Sequence, residues 1–113
     1  AFHYTFPAFA TSDRVIENDP EMVAAAIRAI VETQAALKRD GQLAAEVGRK
    51  LFPAEEAGLI VDVVARDLPY YDAAILETAV TGLTGFAQQA GLLDGDLPYQ
   101  DIVAPQFAPL WIP

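Results

Sequence analysis

A mainly α-helical fold, of about four helices with one short extended segment at the N-terminus, is the class this sequence predicts, on three observations. Of the 113 residues, 21 are Ala, which raises helix propensity without adding much buried area per residue. Apolar positions recur at three- and four-residue steps along most of the chain. Proline followed by acid, and glycine after an apolar stripe, punctuate those stretches where helices start and stop. A chain of this length supports one core, so residues 1–113 are read as a single domain or a fragment of a larger one, with 92–113 as a proline- and aromatic-rich tail.

The extended segment comes first. Phe2, Tyr4 and Phe6 alternate with His3 and Thr5, a strand pattern that Pro7 confines to an edge or a strand end. After a polar turn at Thr11–Arg14, Asp19-Pro20-Glu21 starts a helix: an N-cap carboxylate, a proline where no N–H is needed, and an acid at the positive end of the dipole. This first helix is expected over 20–39, with Val23, Ile27, Ile30, Gln34 and Leu37 inward and an exposed Arg28–Glu32 pair. Asp40-Gly41 breaks it, and a shorter helix over 42–51 turns Leu43, Val47 and Leu51 to one side. Pro53 with Glu55 and Glu56 opens a third helix over 54–66, whose stripe is Leu59, Ile60, Val63 and Val64. Asp72 is the expected cap of a fourth over 73–90, with Ile75, Ala79, Leu83, Phe86 and Ala90 inward and Gly91 as a left-handed terminator. The expected core is therefore Val23, Ile27, Ile30, Leu43, Val47, Leu59, Ile60, Val63, Leu83 and Phe86. Beyond Leu92 the tail is expected to lie across a surface without forming an element of its own.

Composition narrows the function. Sixteen acids against seven bases give a net charge of -9, which argues against a surface that tracks nucleic-acid phosphates. The absence of cysteine removes disulfides, thiolate metal sites and a Cys nucleophile. No apolar run approaches the roughly 20 residues of a membrane span. The sequence begins at Ala1 without a basic leader region, as expected of a processed product or a piece of something longer. His3, the sole histidine, has no carboxylate near it in sequence, and Glu55-Glu56 is accounted for by the helix dipole. Asp94-Gly95-Asp96 lacks the further oxygen ligands of a calcium loop, so no metal or cofactor is expected. Two aromatic groups remain, Tyr70-Tyr71-Asp72 and Phe107–Trp111, as candidates either for a binding site or for plugging the end of a core.

Taken in order, Tyr4–Ile16, the Glu17-Asn18-Asp19-Pro20-Glu21 start, the helix ending Ala36–Asp40, Gly91-Leu92-Leu93 and the later Pro98-Tyr99 and Leu110-Trp111 resemble the C-terminal part of ABC-transporter substrate-binding proteins of the nitrate, sulfonate, taurine and thiamine-precursor branch. The resemblance implies a two-lobed α/β protein of which this chain is the C-terminal portion. It implies periplasmic or extracytoplasmic location and reversible capture of a small organic solute without covalent chemistry. The partners it implies are that solute and an ABC permease. It also places His3, Tyr4 and Thr5 near the ligand, at the end of a strand returning from the cleft. An isolated chain of this kind is expected to associate with itself through its unpaired N-terminal strand. The alternative class is a free-standing helical interaction module. An enzyme resembling the thiamine-pyrimidine synthases ranks third, and the chain is read as not an enzyme.

Overall fold

A computed structural model describes residues 7–112. Among the described residues six α-helices follow one another: α1 (Asp13–Asn18), α2 (Pro20–Arg39), α3 (Leu43–Leu51), α4 (Ala54–Asp67), α5 (Glu77–Gln89) and α6 (Tyr99–Ile102). Short 3-10 stretches occupy Leu68–Tyr70 and Pro105–Leu110. The protein is mainly α, with no strand among the described residues. The expected N-terminal strand, Phe2–Phe6, lies outside them.

Local chemistry accounts for the helix ends. Ser12 Oγ accepts the Val15 N–H at 3.3 Å and starts α1, a helix where the sequence suggested only a turn. Asp19 Oδ1 accepts the Met22 N–H at 3.0 Å and Pro20 takes the first position of α2, as expected. Arg28 pairs with Glu21, at 3.7 Å, and not with Glu32; both side chains are largely in water, so the pair adds little. Between α2 and α3, Asp40 Oδ1 accepts the Gln42 N–H at 3.0 Å and holds the elbow.

The fourth long helix starts late, at Glu77 instead of 73. Asp72 Oδ1 accepts the Ala74 N–H at 2.9 Å, a local turn that diverts the carboxylate from capping, and Leu76 at the helix start offers no side-chain cap. Its end is as expected. Gly91 has φ 71°, Leu92 N–H reaches Ala87 O at 2.8 Å and Gly91 N–H reaches Gln88 O at 3.1 Å, the paired bonds of a Schellman terminator.

The tail departs from expectation by forming α6 and the 105–110 turns. Gln88 Nε2 donates to Gly95 O at 2.7 Å and to Asp96 Oδ1 at 3.1 Å, and Tyr99 OH donates to Ile75 O at 2.6 Å, so two side chains route it back. Phe107 then seats on Val23 and Ala24, with Val15, Ile16, Ile27, Ala104 and Leu110 around it. This is the core of the molecule.

The expected core is corrected at most positions. Val23 is buried, and Ile27, Leu43 and Ile60 are half-buried, but Ile30, Val47, Leu59, Val63, Leu83 and Phe86 are exposed. The buried residues of the later helices are mostly small: Ala44 and Gly48 on α3, Ala57 on α4, and Ala79 with Val80 on α5. A Cβ built on Gly48 would lie 3.5 Å from Ala57 Cβ, so α3 and α4 meet backbone to backbone, a closeness that a Leu or Val at the seam would prevent. At this seam Val47 and Leu59 are thus left facing outward. The chain exposes 8430 Å², against about 6,000 Å² for a compact protein of its mass. Its radius of gyration is 16.6 Å, against about 13 Å.

Candidate functional site

The two aromatic groups singled out in the sequence come together. Residues Val31, Gln34, Ala35 and Lys38, at three- and four-residue steps, give α2 one inward face; the Pro69–Ala73 link runs opposite it, and Trp111 closes one side. Between them lies an open cleft of about 440 Å³. Pro69 lies in the 3-10 stretch that opens the link, Asp72 Oδ1 accepts the Ala74 N–H and turns it, and the docking of Phe107 four residues earlier brings Trp111 to the cleft.

Lys38 organises the cleft. Its Nζ donates to the Tyr71 carbonyl oxygen at 2.5 Å, tying the end of α2 to the link. The ion pairs among the described residues are Arg28–Glu21 and Arg66–Asp67, so the Lys38 ammonium is held by a carbonyl and keeps two further N–H donors. Gln34 adds an amide, Asp72 a carboxylate, and Tyr70, Tyr71 and Trp111 ring surfaces. These groups can hold a small guest bearing an apolar or planar part and a charged end. Ser, Thr, Cys and His are not among the lining residues.

On the far side of Tyr71 a second groove, about 300 Å³ and almost wholly apolar, runs along α2 between Ala29, Ile30, Thr33 and Leu37. Thr33 donates its hydroxyl proton to the Ala29 carbonyl oxygen at 2.6 Å, so the polar end of this side chain is satisfied within the helix.

Sequence reasoning named Tyr70, Tyr71, Asp72 and Trp111 but missed Lys38 and Gln34. The signal that could have found Lys38 is its place one turn beyond Gln34, on the face that carries Val31. His3, Tyr4 and Thr5 lie outside the described residues, and the cleft is built from other parts of the chain. Among the described residues no group of three or more His, Cys, Asp or Glu is placed to share a metal ion, and no helix is long and apolar enough to cross a membrane. Asp96 accepts a hydrogen bond from Gln88. Arg66 and Asp67 do not line the cleft: the Arg66 guanidinium hydrogen-bonds Asp67 at 2.7 and 3.0 Å and holds its carboxyl below the usual carboxylate range.

Comparison with protein-family models, curated proteins and solved structures finds no match to this chain.

Proposed function

We propose that this chain is the C-terminal part of an extracytoplasmic solute-binding component of an ABC import system, capturing a small organic solute such as a sulfonate, taurine, nitrate or thiamine precursor without covalent chemistry. One observation carries the reading beyond the sequence resemblance. The α3–α4 hairpin closes on Ala44, Gly48 and Ala57, and Val47, Leu59, Val63, Leu83 and Phe86 stay exposed, as side chains do when their faces belong against a body outside the chain. In this reading that body is the sheet and remaining helices of the first lobe. Solute binding would then favour closure of two lobes and presentation to the permease. The two-lobed architecture and the placement of His3, Tyr4 and Thr5 near the solute belong to the same proposal.

The test is the coding sequence upstream of Ala1 and the polypeptide it encodes. The reading expects an α/β pattern preceded by a signal peptide, a 1:1 complex between that polypeptide and this chain, and calorimetric binding of a small anion or zwitterion by the complex alone. An upstream sequence without an α/β pattern, or one whose product ignores this chain, overturns it.

A second reading, a free-standing helical interaction module, is favoured by the seating of Phe107 on Val23 and Ala24, which closes a core within the chain itself. Tight two-state unfolding of the isolated chain, together with indifference to the upstream polypeptide, would favour this reading over the first.

A further inference from the structure

We infer that the cleft between α2 and the 69–73 link binds a small zwitterion, an α-amino acid with an aromatic side chain, and does so within this chain alone. Two opposite charges open onto the space. Lys38 brings an ammonium from α2 and Asp72 a carboxylate from the link, and they are the cation and the anion among its lining residues. Each is anchored to the backbone at one point: Lys38 Nζ donates to the Tyr71 carbonyl oxygen at 2.5 Å, and Asp72 Oδ1 accepts the Ala74 N–H at 2.9 Å. Tyr71 directly precedes Asp72, so these two bonds keep the ammonium and the carboxylate close together. Yet the two charges form no ion pair, and Asp72 Oδ2 accepts no hydrogen bond from a described residue.

That arrangement selects the guest. Opposite charges that stand side by side without meeting leave a gap for a group that carries both signs on neighbouring atoms. Its carboxylate takes the two remaining Lys38 N–H bonds, and its ammonium donates to Asp72 Oδ2. An α-amino acid bears both on one carbon. A plain anion would meet the Asp72 carboxylate and a plain cation the Lys38 ammonium, each with like-charge repulsion. Gln34, one turn before Lys38, adds an amide that serves either end. The remaining lining suits a flat apolar side chain: Val31 is 4% exposed, Trp111 stands half-buried at one side, and the Tyr70 ring, 83% exposed, is left over to cover a guest. The volume, about 440 Å³, is that of a small-molecule site. The inference goes beyond the proposed function, whose solute is held between two lobes.

Trp111 is the sole tryptophan, so its fluorescence reports on the cleft. The probe is L-phenylalanine, titrated into the full chain by fluorescence and by calorimetry. A saturable change in Trp111 emission is expected, with a Kd of about 1 mM or tighter. On the parent chain, 3-phenylpropionate, which lacks the ammonium, and phenethylamine, which lacks the carboxylate, are each expected to bind roughly tenfold or more weakly, the worth of one charge-assisted hydrogen bond. Taurine, a zwitterion without a ring, should be weaker by a similar factor. Lys38→Met is expected to weaken L-phenylalanine roughly tenfold and leave phenethylamine unchanged. Asp72→Asn, whose amide oxygen can still accept the Ala74 N–H, is expected to weaken L-phenylalanine roughly tenfold without weakening 3-phenylpropionate. Leu83→Ala on α5 should leave all three ligands as they are. No saturable binding of L-phenylalanine by the parent chain overturns the inference, as does equal binding of L-phenylalanine and either truncated analogue, or taurine as tight as L-phenylalanine. The upstream polypeptide enters none of these measurements, so the inference can fail while the proposed function stands, and the reverse.

Discussion

The two ends of the chain and its middle are built on opposite packing rules. At the ends, α1 and α2 receive the 105–110 turns, and an aromatic ring fills the space between Val23 and Ala24. In the middle, the α3–α4 hairpin closes on Ala44, Gly48 and Ala57 and leaves Leu51 71% and Leu59 65% exposed. The first arrangement buries apolar area within the chain; the second gains close backbone contact and little area. Equal apolar content in two regions therefore does not mean equal stability, because what counts is which side chains the seam admits.

That contrast breaks most directly at Phe107. Phe107→Ala is expected to cost about 3–5 kcal/mol in urea denaturation, the range for emptying a buried aromatic site. A loss no larger than that of an exposed side chain would erase the distinction. At the hairpin, Gly48→Leu is expected to lower stability by about 1–3 kcal/mol through overpacking. Gly48→Ala is expected to raise it by up to about 1 kcal/mol, since its Cβ meets Ala57 at an ordinary 3.5 Å and Ala is the better helix former. Matching losses for Ala and Leu would mean that the helices approach more closely than the seam shows.

Leu59→Ala sharpens the comparison from the other side. With Leu59 mostly in water, the change is expected to stay within about 0.5 kcal/mol in the isolated chain. It should matter only when a partner body covers that face.

The smallest effect is at Arg66–Asp67, just before the 3-10 turn that leads into the cleft. Hydrogen bonding to Arg66 lowers the Asp67 carboxyl in the folded chain, so whatever it contributes is present above the ordinary carboxylate pKa and is lost as pH falls through the folded one. In a carbon-detected titration Asp67 should protonate below the ordinary aspartate range, and Arg66→Gln should return it to that range. An unshifted midpoint in the parent chain would show that water screens the pair fully.

Helix ends were legible in the sequence because they are set by contacts within a few residues. Asp19-Pro20-Glu21, Pro53 and Gly91 each act on backbone groups one turn away, and all sit at observed boundaries. The Asp72 start failed on the same scale, since one carboxylate can serve either a cap or a local turn and the turn took it. Helix faces were not legible. Periodicity ranks Val47 and Leu59 above Ala44 and Ala57 because it weighs side chains by hydrophobicity, whereas the α3–α4 seam selects for smallness. The cleft was half legible: Tyr71 and Trp111 stood out as aromatics in turns, but Lys38 gains its role from a carbonyl 33 residues away in sequence.

The seat of Phe107 has a consequence in time. Its ring and the Val23–Ala24 surface that receives it stand roughly 80 residues apart, so on a ribosome adding about 5–20 residues per second the receiving surface exists for roughly 4–16 s before its cover has been made. During that interval α1 and α2 present bare apolar surface to whatever is near. The order of manufacture therefore sets a window of vulnerability that the finished chain no longer has, and it closes only when the last turns arrive.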